Sequence, residues 1–507
     1  MRAMAGVGLA ALLTAALAAA GCGGVGTMAT RYSAEKRYWN AQRDEQKARL
    51  AARPDSTTLL RLREGYRGVR SSVSLPPQPA ASGPAAIEYR GLFRTLANAE
   101  MQAARLALEA RRPDLALEDA QWILGHAGTD TTAARQADFI VVGCYRTVGR
   151  YDDAIAAIHE MLKKYPPQPA EKPGGEDAIL SLPNAPVEIR RQLGDADGMK
   201  REEAAAVEYY RGLLQRPQPL ELEARIRARY VRALLAQGDA PASLREAQAL
   251  EDLVGRHAEL KSFEPDVHYV NAKVHAVTDK DHTAAISLLE RVATDYPTAN
   301  VAGPALFESA ALLEDQKKFD LAKQRYKDAA ARYPGNLDVA PVSLYRQAML
   351  EDRTGNWPIA KAILEALPLK YPGTQASAEA PLAIAQRYAR VGDRAAMNVA
   401  LQKAVEVYRT LAARDSSGAA GAVYRWNILK CQLNLQDWQG ALQAVDELVA
   451  HNPGHPFTAQ ALLEGAKVAQ AQKLVDRAAG YLQRFLQDYP NSPAAAKVRE
   501  DLKGLGG

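Results

Sequence analysis

The sequence lacks the short motifs that accompany common enzymatic chemistry. Residues 22–507 contain no G-x-x-x-x-G-K-[ST] phosphate loop, no H-E-x-x-H zinc motif and no G-x-S-x-G nucleophile turn. His268, His275 and His282 recur every seven residues, which places them about 10.5 Å apart on a continuous helix, too far to share a metal ion. The sequence therefore predicts no catalytic residue, no metal site and no cofactor, and we do not expect an enzyme.

An excess of charge of one sign is also nearly absent. The chain has 64 Lys and Arg against 59 Asp and Glu, a formal net charge of +5. This bias is too weak to indicate a nucleic-acid partner. With 47% hydrophobic residues, 24% charged residues and a mean hydropathy of -0.29, the composition is that of a folded chain rather than a disordered one.

The N-terminus has the pattern of an exported protein. Residues 1–21 carry Arg2 near the start, an apolar stretch from about Val7 to Leu17, and small residues at the end, which is the pattern of a secretory signal peptide. The apolar stretch is shorter than the roughly 20 residues that a transmembrane helix requires.

The residues that follow resemble the lipobox of bacterial lipoproteins. Ala19-Ala20-Gly21-Cys22 matches that motif except that leucine is usual where this chain has Ala19. The resemblance implies cleavage before Cys22 and acylation of Cys22, which would anchor the protein to a membrane; a cleaved signal without lipid is the alternative. Bacterial lipoproteins that stay at the inner membrane often carry aspartate directly after the cysteine, whereas this chain has Gly23. By this rule of the lipoprotein family, we expect the protein at the outer membrane, on the side that faces the periplasm.

The domain organisation follows from shifts in composition. Residues 31–74 form a basic helical segment, with eleven basic and five acidic residues between Arg31 and Arg70. A solvated helix face is the favoured interpretation of this charge, and contact with anionic lipid headgroups is the alternative. The predicted divisions are 1–21 (signal), 22–30 (flexible tether), 31–74 (basic helices), 75–86 (linker), 87–260 (divergent helical repeats with a Pro/Gly-rich loop at 166–186) and 261–502 (regular repeats).

A repeated pattern occupies the C-terminal half. An aromatic or polar residue followed by proline recurs roughly every 37 residues, the spacing of a repeat array. The breaks are Tyr296-Pro297, Tyr333-Pro334, Tyr371-Pro372, Asn452-Pro453 and Tyr489-Pro490. The interval from Pro372 to Pro453 is 81 residues and holds two units, with Asp415-Ser416 as the break between them. An alanine lies twelve residues before each proline, and also before Pro166: Ala154, Ala285, Ala322, Ala360, Ala441 and Ala478.

The clearest repeat, residues 305–334, predicts two helices that pack against each other. Leu306, Ala310 and Leu313 share one face of the first helix. The second helix presents Ala322, Tyr326 and Ala329 on its inner face and ends at Pro334, which cannot continue the helix. Weaker helix pairs are predicted at residues 88–124, 135–164 and 221–257.

This pattern resembles the tetratricopeptide repeat, most clearly from residue 266 to residue 493. The resemblance implies an all-α, tetratricopeptide-type helical-repeat solenoid. Tyr333-Pro334-Gly335-Asn336 and Tyr489-Pro490-Asn491-Ser492 resemble the breaks in the lipoprotein of the outer-membrane β-barrel assembly machinery and in the periplasmic Tol-Pal coordinator. Because each repeat of a solenoid touches only its neighbours, Cys144 and Cys431 are expected to be separate, mostly buried thiols.

The resemblance implies a protein that binds partners. The favoured hypothesis is a membrane-anchored scaffold for protein-protein interaction in cell-envelope assembly or maintenance, which holds extended segments of envelope proteins. The alternative is an outer-membrane glycan- or nutrient-binding lipoprotein with tetratricopeptide helices. Sugar sites usually stack on exposed aromatic side chains, and the chain has only 5 Trp.

Three aromatic residues are the candidate partner contacts. Phe307, Tyr345 and Trp426 each lie at the same distance before the proline that closes their repeat. In the family, the first helix of each repeat faces the concave surface, where aromatic side chains carry binding energy with little loss of rotamer entropy.

The residue before each candidate decides whether the aromatic side chain is free to face a groove. Leu306 and Leu344 are expected to fill the core position in their repeats, which frees Phe307 and Tyr345. Arg425 is a poor core residue, so a shift of one residue that buries Trp426 remains an alternative.

Overall fold

In the computed structural model of this chain, almost all of the residues that the structure describes are helical. The structure describes residues 24–51, 54–79, 83–110, 112–128, 130–168, 178–278, 282–415, 418–453, 455–490, 492 and 494–505. Within these ranges the backbone forms 24 α-helices and one 3-10 helix and contains no strand. The predicted all-α class is confirmed.

Residues 1–237 form the first of two compact units. Its helices are α1 (Gly24–Ala51), α2 (Ser56–Ser71), α3 (Pro84–Glu109), α4 (Pro113–His126), α5 (Thr131–Thr147), α6 (Tyr151–Lys164), α7 (Ala178–Ser181), α8 (Asn184–Leu193), α9 (Ala196–Leu214) and α10 (Leu220–Gln237). From α2 to α6, consecutive helices pack against each other, α6 packs against α8, and α1 packs against both α2 and α3.

Residues 238–507 form the second unit. It contains α11 (Ala240–Arg256), a 3-10 helix (Ala258–Phe263), α12 (Glu264–Thr278), α13 (Thr283–Asp295), α14 (Ala302–Asp315), α15 (Phe319–Arg332), α16 (Ala340–Arg353), α17 (Trp357–Lys370), α18 (Gln375–Arg390), α19 (Arg394–Arg414), α20 (Ala419–Leu435), α21 (Trp438–His451), α22 (Pro456–Ala471), α23 (Val475–Asp488) and α24 (Ala495–Leu505).

The packing in the second unit is that of a helical-repeat solenoid. From α12 to α23, each even-numbered helix is the first helix of a repeat and each odd-numbered helix is the second. Consecutive helices pack together throughout, and first helices also contact the first helix of the next repeat at α12–α14, α16–α18, α18–α20 and α20–α22. The first helices therefore stack on one another along one side of the repeats.

Small residues allow this close packing. The six alanines that lie twelve residues before a proline are all 0% exposed: Ala154, Ala285, Ala322, Ala360, Ala441 and Ala478. In the clearest repeat, the first-helix face of Leu306, Ala310 and Leu313 is buried as predicted, and so is the face of the second helix. The register of the repeats read from the sequence is confirmed.

The tyrosine before each break closes its repeat. The Tyr333 N–H donates to the Ala329 carbonyl as the last bond of α15, and Pro334 then prevents another turn. Two of the other tyrosines reach back to the start of the first helix. The Tyr296 hydroxyl lies 3.0 Å from a carboxylate oxygen of Glu264, and the Tyr489 hydroxyl donates to the His455 carbonyl at 3.1 Å.

Two predicted flexible segments are partly helical. Residues 24–30 of the expected tether lie in α1, because a helix that continues into residues 31–51 can extend through glycines at about 1 kcal/mol each. The expected loop at 166–186 contains α7 and the start of α8. Ile179 and Leu180 are buried there, and this apolar burial outweighs the Pro/Gly content of the preceding residues.

The predicted helix pair at 221–257 spans the division between the two compact units, which falls at 237/238. Here α10 packs on α9, and α11 packs on α12. In the expected linker at 75–86, α3 already begins at Pro84 and Leu75 packs against the apolar cores of the first unit.

Cys22, residues 1–21 and the proposed cleavage point lie outside the described residues. In the part of the chain that is described, no helix combines the length and the apolar content needed to cross a membrane. Cys144 and Cys431 are both buried free thiols, one in each unit, as the sequence predicts.

A buried cluster of charges, which sequence reasoning missed, joins three helices of the first unit. On α2, the guanidinium of Arg63 makes two hydrogen bonds, of 2.9 and 2.6 Å, to the Asp119 carboxylate on α4, and both side chains are almost fully buried. Arg70, also on α2, donates to Glu100 on α3 at 3.3 Å. The bidentate Arg63–Asp119 pair offsets part of the cost of taking both charges out of water.

Candidate partner-binding surface

The three candidate aromatics lie on the first helices α14, α16 and α20, and all three are half-buried. Of the residues before them, Leu306 and Arg425 are buried and Leu344 is half-buried. The shift that would place Trp426 in the core and Arg425 outside it does not occur. Leu344 fills its core position only in part.

Phe307 packs against the core along one side of its ring. Its ring centroid lies 5.6 Å from that of Tyr326 on α15, and it contacts the apolar clusters that contain Ala310 and Leu306. The side chain is therefore partly structural, with only part of its surface left for a partner.

Tyr345 lies beside charged groups of its own helix and of α18. Burial raises the pKa of its hydroxyl, and the nearby Glu379 carboxylate raises this pKa further. Arg346 and Arg390 act in the opposite direction. The hydroxyl is therefore neutral at ordinary pH and available as a hydrogen-bond donor.

Trp426 lines a cleft that crosses three successive first helices. Its ring stacks on Phe457 of α22, with centroids 5.5 Å apart and planes 13° from parallel. The cleft has a volume of about 390 Å³, within the range of small binding sites. Its walls come from the turn before α18 and from α18, α20 and α22: Gly373, Thr374, Gln375, Ala378, Glu379, Ala420, Val423, Tyr424, Trp426, Asn427, Lys430 and Phe457.

The polar side chains of this cleft, which we call the α20 cleft, are partly fixed by hydrogen bonds. The Tyr424 hydroxyl accepts the Gly373 N–H at 2.7 Å, and the Asn427 amide donates to the Ala378 carbonyl at 2.9 Å. These bonds tie α20 to the start of α18 and hold the walls in place before a ligand arrives. A preformed cleft reduces the ordering cost of binding.

A cation and an anion border the apolar part of the α20 cleft. Glu379 is exposed and accepts a hydrogen bond from Gln375 at 2.7 Å. Lys430 is half-buried, and burial lowers the pKa of its ammonium group, opposed by Cys431 and Glu379. An extended peptide could place an apolar side chain between them, with its backbone or charged groups at the border.

Arg425, the residue before Trp426, makes a buried polar contact with the end of its repeat. Arg425 donates to the Asn452 side chain at 2.8 Å, and the Asn452 amide donates to the Gly418 carbonyl at 3.2 Å. Thr458 donates to the Asn452 carbonyl at 2.7 Å. Asn452 thus joins both ends of its repeat to α22, which explains how an arginine can occupy a core position.

Of the three candidate aromatics, Trp426 lines the α20 cleft and Phe307 and Tyr345 do not. On α18, which lies between α16 and α20, Leu382 precedes Ala385 as Tyr345 precedes Ala348, and Leu382 packs against the core.

Sequence reasoning missed Phe457, Lys430 and Glu379. Phe457 follows Pro456 at the start of α22, so the only local signal was an aromatic residue in the first turn of a first helix. Its pairing with Trp426 depends on the packing of α20 against α22, which no short motif encodes.

The histidines with seven-residue spacing do not form a common site. His268 and His275 lie on α12, whereas His282 precedes α13 in a left-handed backbone conformation, with φ 52°. Among the described residues, no three His, Cys, Asp or Glu side chains are grouped as a metal site would require.

Comparison with known proteins identifies part of the array. Residues 342–374 and 460–492 match the family model for the tetratricopeptide repeat and are therefore repeats of this kind; they cover α16–α17 and α22–α23. A search of curated proteins found no relative.

Three solved structures are similar at low scores. The yeast Tom70 crystal structure shares 12% identity over 95% of each chain, with a TM-score of 0.34. Pseudomonas aeruginosa pilF shares 12% identity over 56% of this chain and 100% of its own, with a TM-score of 0.28. A tetratricopeptide repeat protein from Parabacteroides merdae shares 13% identity over 56% of this chain and 99% of its own, also with a TM-score of 0.28.

Proposed function

We propose that this protein is a membrane-anchored interaction scaffold in bacterial cell-envelope assembly or maintenance, and that the α20 cleft binds an extended segment of an envelope protein. Tetratricopeptide repeats generally mediate protein-protein interactions, and two are present in this chain. The observation that carries the proposal is the cleft itself, in which Trp426 and Phe457 form an aromatic wall across neighbouring first helices. The protein acts by binding, and we assign it no reaction.

Site-specific photo-crosslinking in intact cells tests the cleft directly. A photoreactive residue at Val423, inside the cleft, should crosslink a discrete envelope protein. The same residue at Val399, exposed on the second helix α19, is the matched control and should give no such product. Equal crosslinking from both positions, or none from Val423, would place the binding surface elsewhere.

Substitution of the aromatic wall gives an independent test. Trp426→Ala should reduce the crosslinked product from Val423 by about tenfold, since an interface aromatic anchor contributes about 1–3 kcal/mol. Trp438→Ala, on the second helix α21 and 37% exposed, is the matched control. Circular dichroism at the working temperature must show both variants folded. A folded Trp426 variant that still crosslinks at the original level contradicts the assignment.

Phe307 and Tyr345 remain proposed partner contacts on the first helices before the cleft. Because both are half-buried, alanine would remove core contacts as well as a binding surface. The double change Phe307→Leu and Tyr345→Leu keeps apolar volume and removes both rings. It should weaken partner capture while the melting midpoint shifts only slightly, and unchanged capture would exclude the pair.

The membrane anchor is proposed from Cys22 and the apolar stretch before it, with the outer membrane facing the periplasm as its location. Radiolabelled palmitate should enter the protein in cells, and Cys22→Ser should abolish the label and release the product from the membrane fraction. Label that survives the substitution would exclude Cys22 as the acylated residue. Fractionation of inner and outer membranes tests the location separately.

A glycan-binding function is the second candidate, because the aromatic wall beside Asn427, Glu379 and Lys430 also has the composition of a sugar site. Incubation of the purified protein with isolated cell wall or with soluble polysaccharide distinguishes the glycan-binding function from the protein-scaffold function. Polysaccharide binding that Trp426→Ala abolishes would favour the glycan-binding function over the protein scaffold.

A further inference from the structure

Helix α1 has two faces of different character. Its inner face carries Ala34, Ala41 and Glu45, which are buried against α2 and α3. On the opposite face, Tyr32, Trp39 and Leu50 are 67%, 57% and 80% exposed. Their spacing of seven and eleven residues places all three in one line along the helix.

Basic residues share this outer face. Lys36, Arg43 and Lys47 are exposed and lie one turn from the apolar residues. The Arg43 guanidinium lies over the Trp39 ring, 5.0 Å from its centroid. We name the set Tyr32, Lys36, Trp39, Arg43, Lys47 and Leu50 the outer α1 face.

Few acidic groups oppose this charge. Glu35 is paired with Arg31 at 2.8 Å, and Glu45 is buried and paired with Arg49 and Arg105. Asp44 is exposed and lies about 140° around the helix from Trp39 at 100° per residue, but about 60° from Lys47, so it is the acidic neighbour of that lysine alone. Within the described residues, Lys36, Arg43 and Lys47 have no carboxylate partner. The outer α1 face is therefore a cationic strip with an apolar line through it.

A solvated helix face accounts for the lysines and arginines but not for the exposed tryptophan, tyrosine and leucine in line with them. Trp and Tyr favour the boundary between water and lipid acyl chains, and Lys and Arg are attracted to anionic headgroups. An interfacial helix combines both, with its apolar line buried to the depth of the headgroups.

We propose that the outer α1 face lies on the surface of an anionic lipid bilayer. The proposal rests on the proposed membrane anchor for its location, since α1 begins at Gly24, two residues after Cys22. The face then holds the start of the chain flat on the membrane that the acyl chains enter.

Fluorescence quenching by brominated lipid tests whether Trp39 enters the bilayer. The full chain is reconstituted with an excess of phosphatidylglycerol–phosphatidylethanolamine vesicles that carry brominated acyl chains. Subtracting the fluorescence of the Trp39→Phe variant from that of the parent chain gives the emission of Trp39 alone. The same subtraction with Trp438→Phe gives the emission of Trp438, which is the control on the second unit. The Trp39 signal should fall by about twofold or more, and the Trp438 signal should not change.

Charge reversal tests the headgroup contact. Lys36→Glu, Arg43→Glu and Lys47→Glu together should restore most of the Trp39 fluorescence. The same reversal at Lys327, Lys473 and Lys497, which are exposed on the second unit, should not. Neutral brominated phosphatidylcholine vesicles should quench Trp39 less than the anionic vesicles do. Far-ultraviolet circular dichroism must be unchanged in both triple variants.

The outcomes separate this proposal from the anchor. Excess vesicles allow the face to bind whether or not Cys22 is acylated, and palmitate labelling reports acylation independently. Trp39 that stays unquenched overturns the proposal, even if the acylated chain remains on the vesicles. The proposal is also overturned if neutral vesicles quench Trp39 as strongly as anionic vesicles do and the charge reversal leaves this quenching unchanged. It is overturned as well if a second copy of the chain covers Trp39 and shields it from solvent in the absence of lipid.

Discussion

Among the residues of the first unit, Glu100 is held in an unfavourable environment. Its side chain is fully buried on α3, and its only hydrogen bond among the described residues is the 3.3 Å contact from Arg70 to one oxygen, while the other oxygen has no partner. Burial raises the pKa of Glu100 from 4.5 to about 7. The Asp119 charge adds to this rise, and Arg70, Arg67 and Arg63 oppose it.

This shift makes the stability of the first unit depend on pH. Since the folded pKa lies above the unfolded one, the folded chain binds the extra proton between about pH 4.5 and 7, and the free energy of unfolding falls as the pH rises through this window. Glu100→Gln removes this titration. The free energy of unfolding of the variant, compared with that of the parent, should therefore be higher at pH 8 than at pH 5, by about 1–3 kcal/mol.

Urea denaturation of both proteins at the two pH values measures this difference. Glu118→Gln changes a carboxylate on the exposed side of the same cluster and is the matched control. If the difference between Glu100→Gln and the parent were equal at pH 5 and pH 8, the titration of Glu100 would not contribute to stability.

The buried cysteines provide a second residue-scale prediction. Burial raises the pKa of Cys144 to about 11 and that of Cys431 to about 12, so the reactive thiolate is scarce at pH 8. Iodoacetamide should leave both thiols unmodified in the native protein and modify both in urea without reductant. Mass spectrometry reads the result, and a disulfide joining Cys144 to Cys431 would contradict the solenoid packing.

At the scale of the helix, Ala322 shows how tightly the two helices of a repeat cross. It lies on α15, fully buried among Ala310, Tyr326 and Leu313. Ala322→Glu would force a longer, charged side chain into this contact, which should lower the free energy of unfolding by several kcal/mol. Ala331→Glu, on the exposed face of the same helix, is the matched control and should cost little.

Thermal melts followed by circular dichroism test this pair. A lowered midpoint or a transition split into steps is expected for Ala322→Glu alone. Equal melts for the two variants would mean that the crossing point of α14 and α15 lies at another residue.

For the whole molecule, the division at 237/238 predicts that the two units respond to substitution separately. When two substituted sites share no contacting residue, their effects on the free energy of unfolding add within about 0.5 kcal/mol. In scanning calorimetry at pH 8, Glu100→Gln should raise the transition of the first unit, and Ala322→Glu should lower that of the second. The double variant should show both shifts unchanged, whereas a single transition moved by either substitution would show that the chain unfolds as one unit.

The repeats could be read directly from the amino-acid sequence, because their signals are local. The interval from an alanine to a proline twelve residues later lies within one helix and its end, so Ala322 and Pro334 could be placed without knowledge of any neighbour. The same holds for the faces of α14 and α15, which follow from helical periodicity alone. Composition was less reliable: glycines at the start of α1 and prolines near α7 predicted flexible segments where the chain is helical.

The side chains that meet across helices could not be read from the sequence, because the packing of the helices sets these contacts. Trp426 and Phe457 belong to different repeats, and Arg63 and Asp119 to different helix pairs, so their contacts depend on crossing angles that no short pattern contains. Leu382 packs against the core for the same reason, because its surroundings are set by how α16, α18 and α20 stack. Periodicity fixes which face of a helix is apolar, but packing fixes what that face touches.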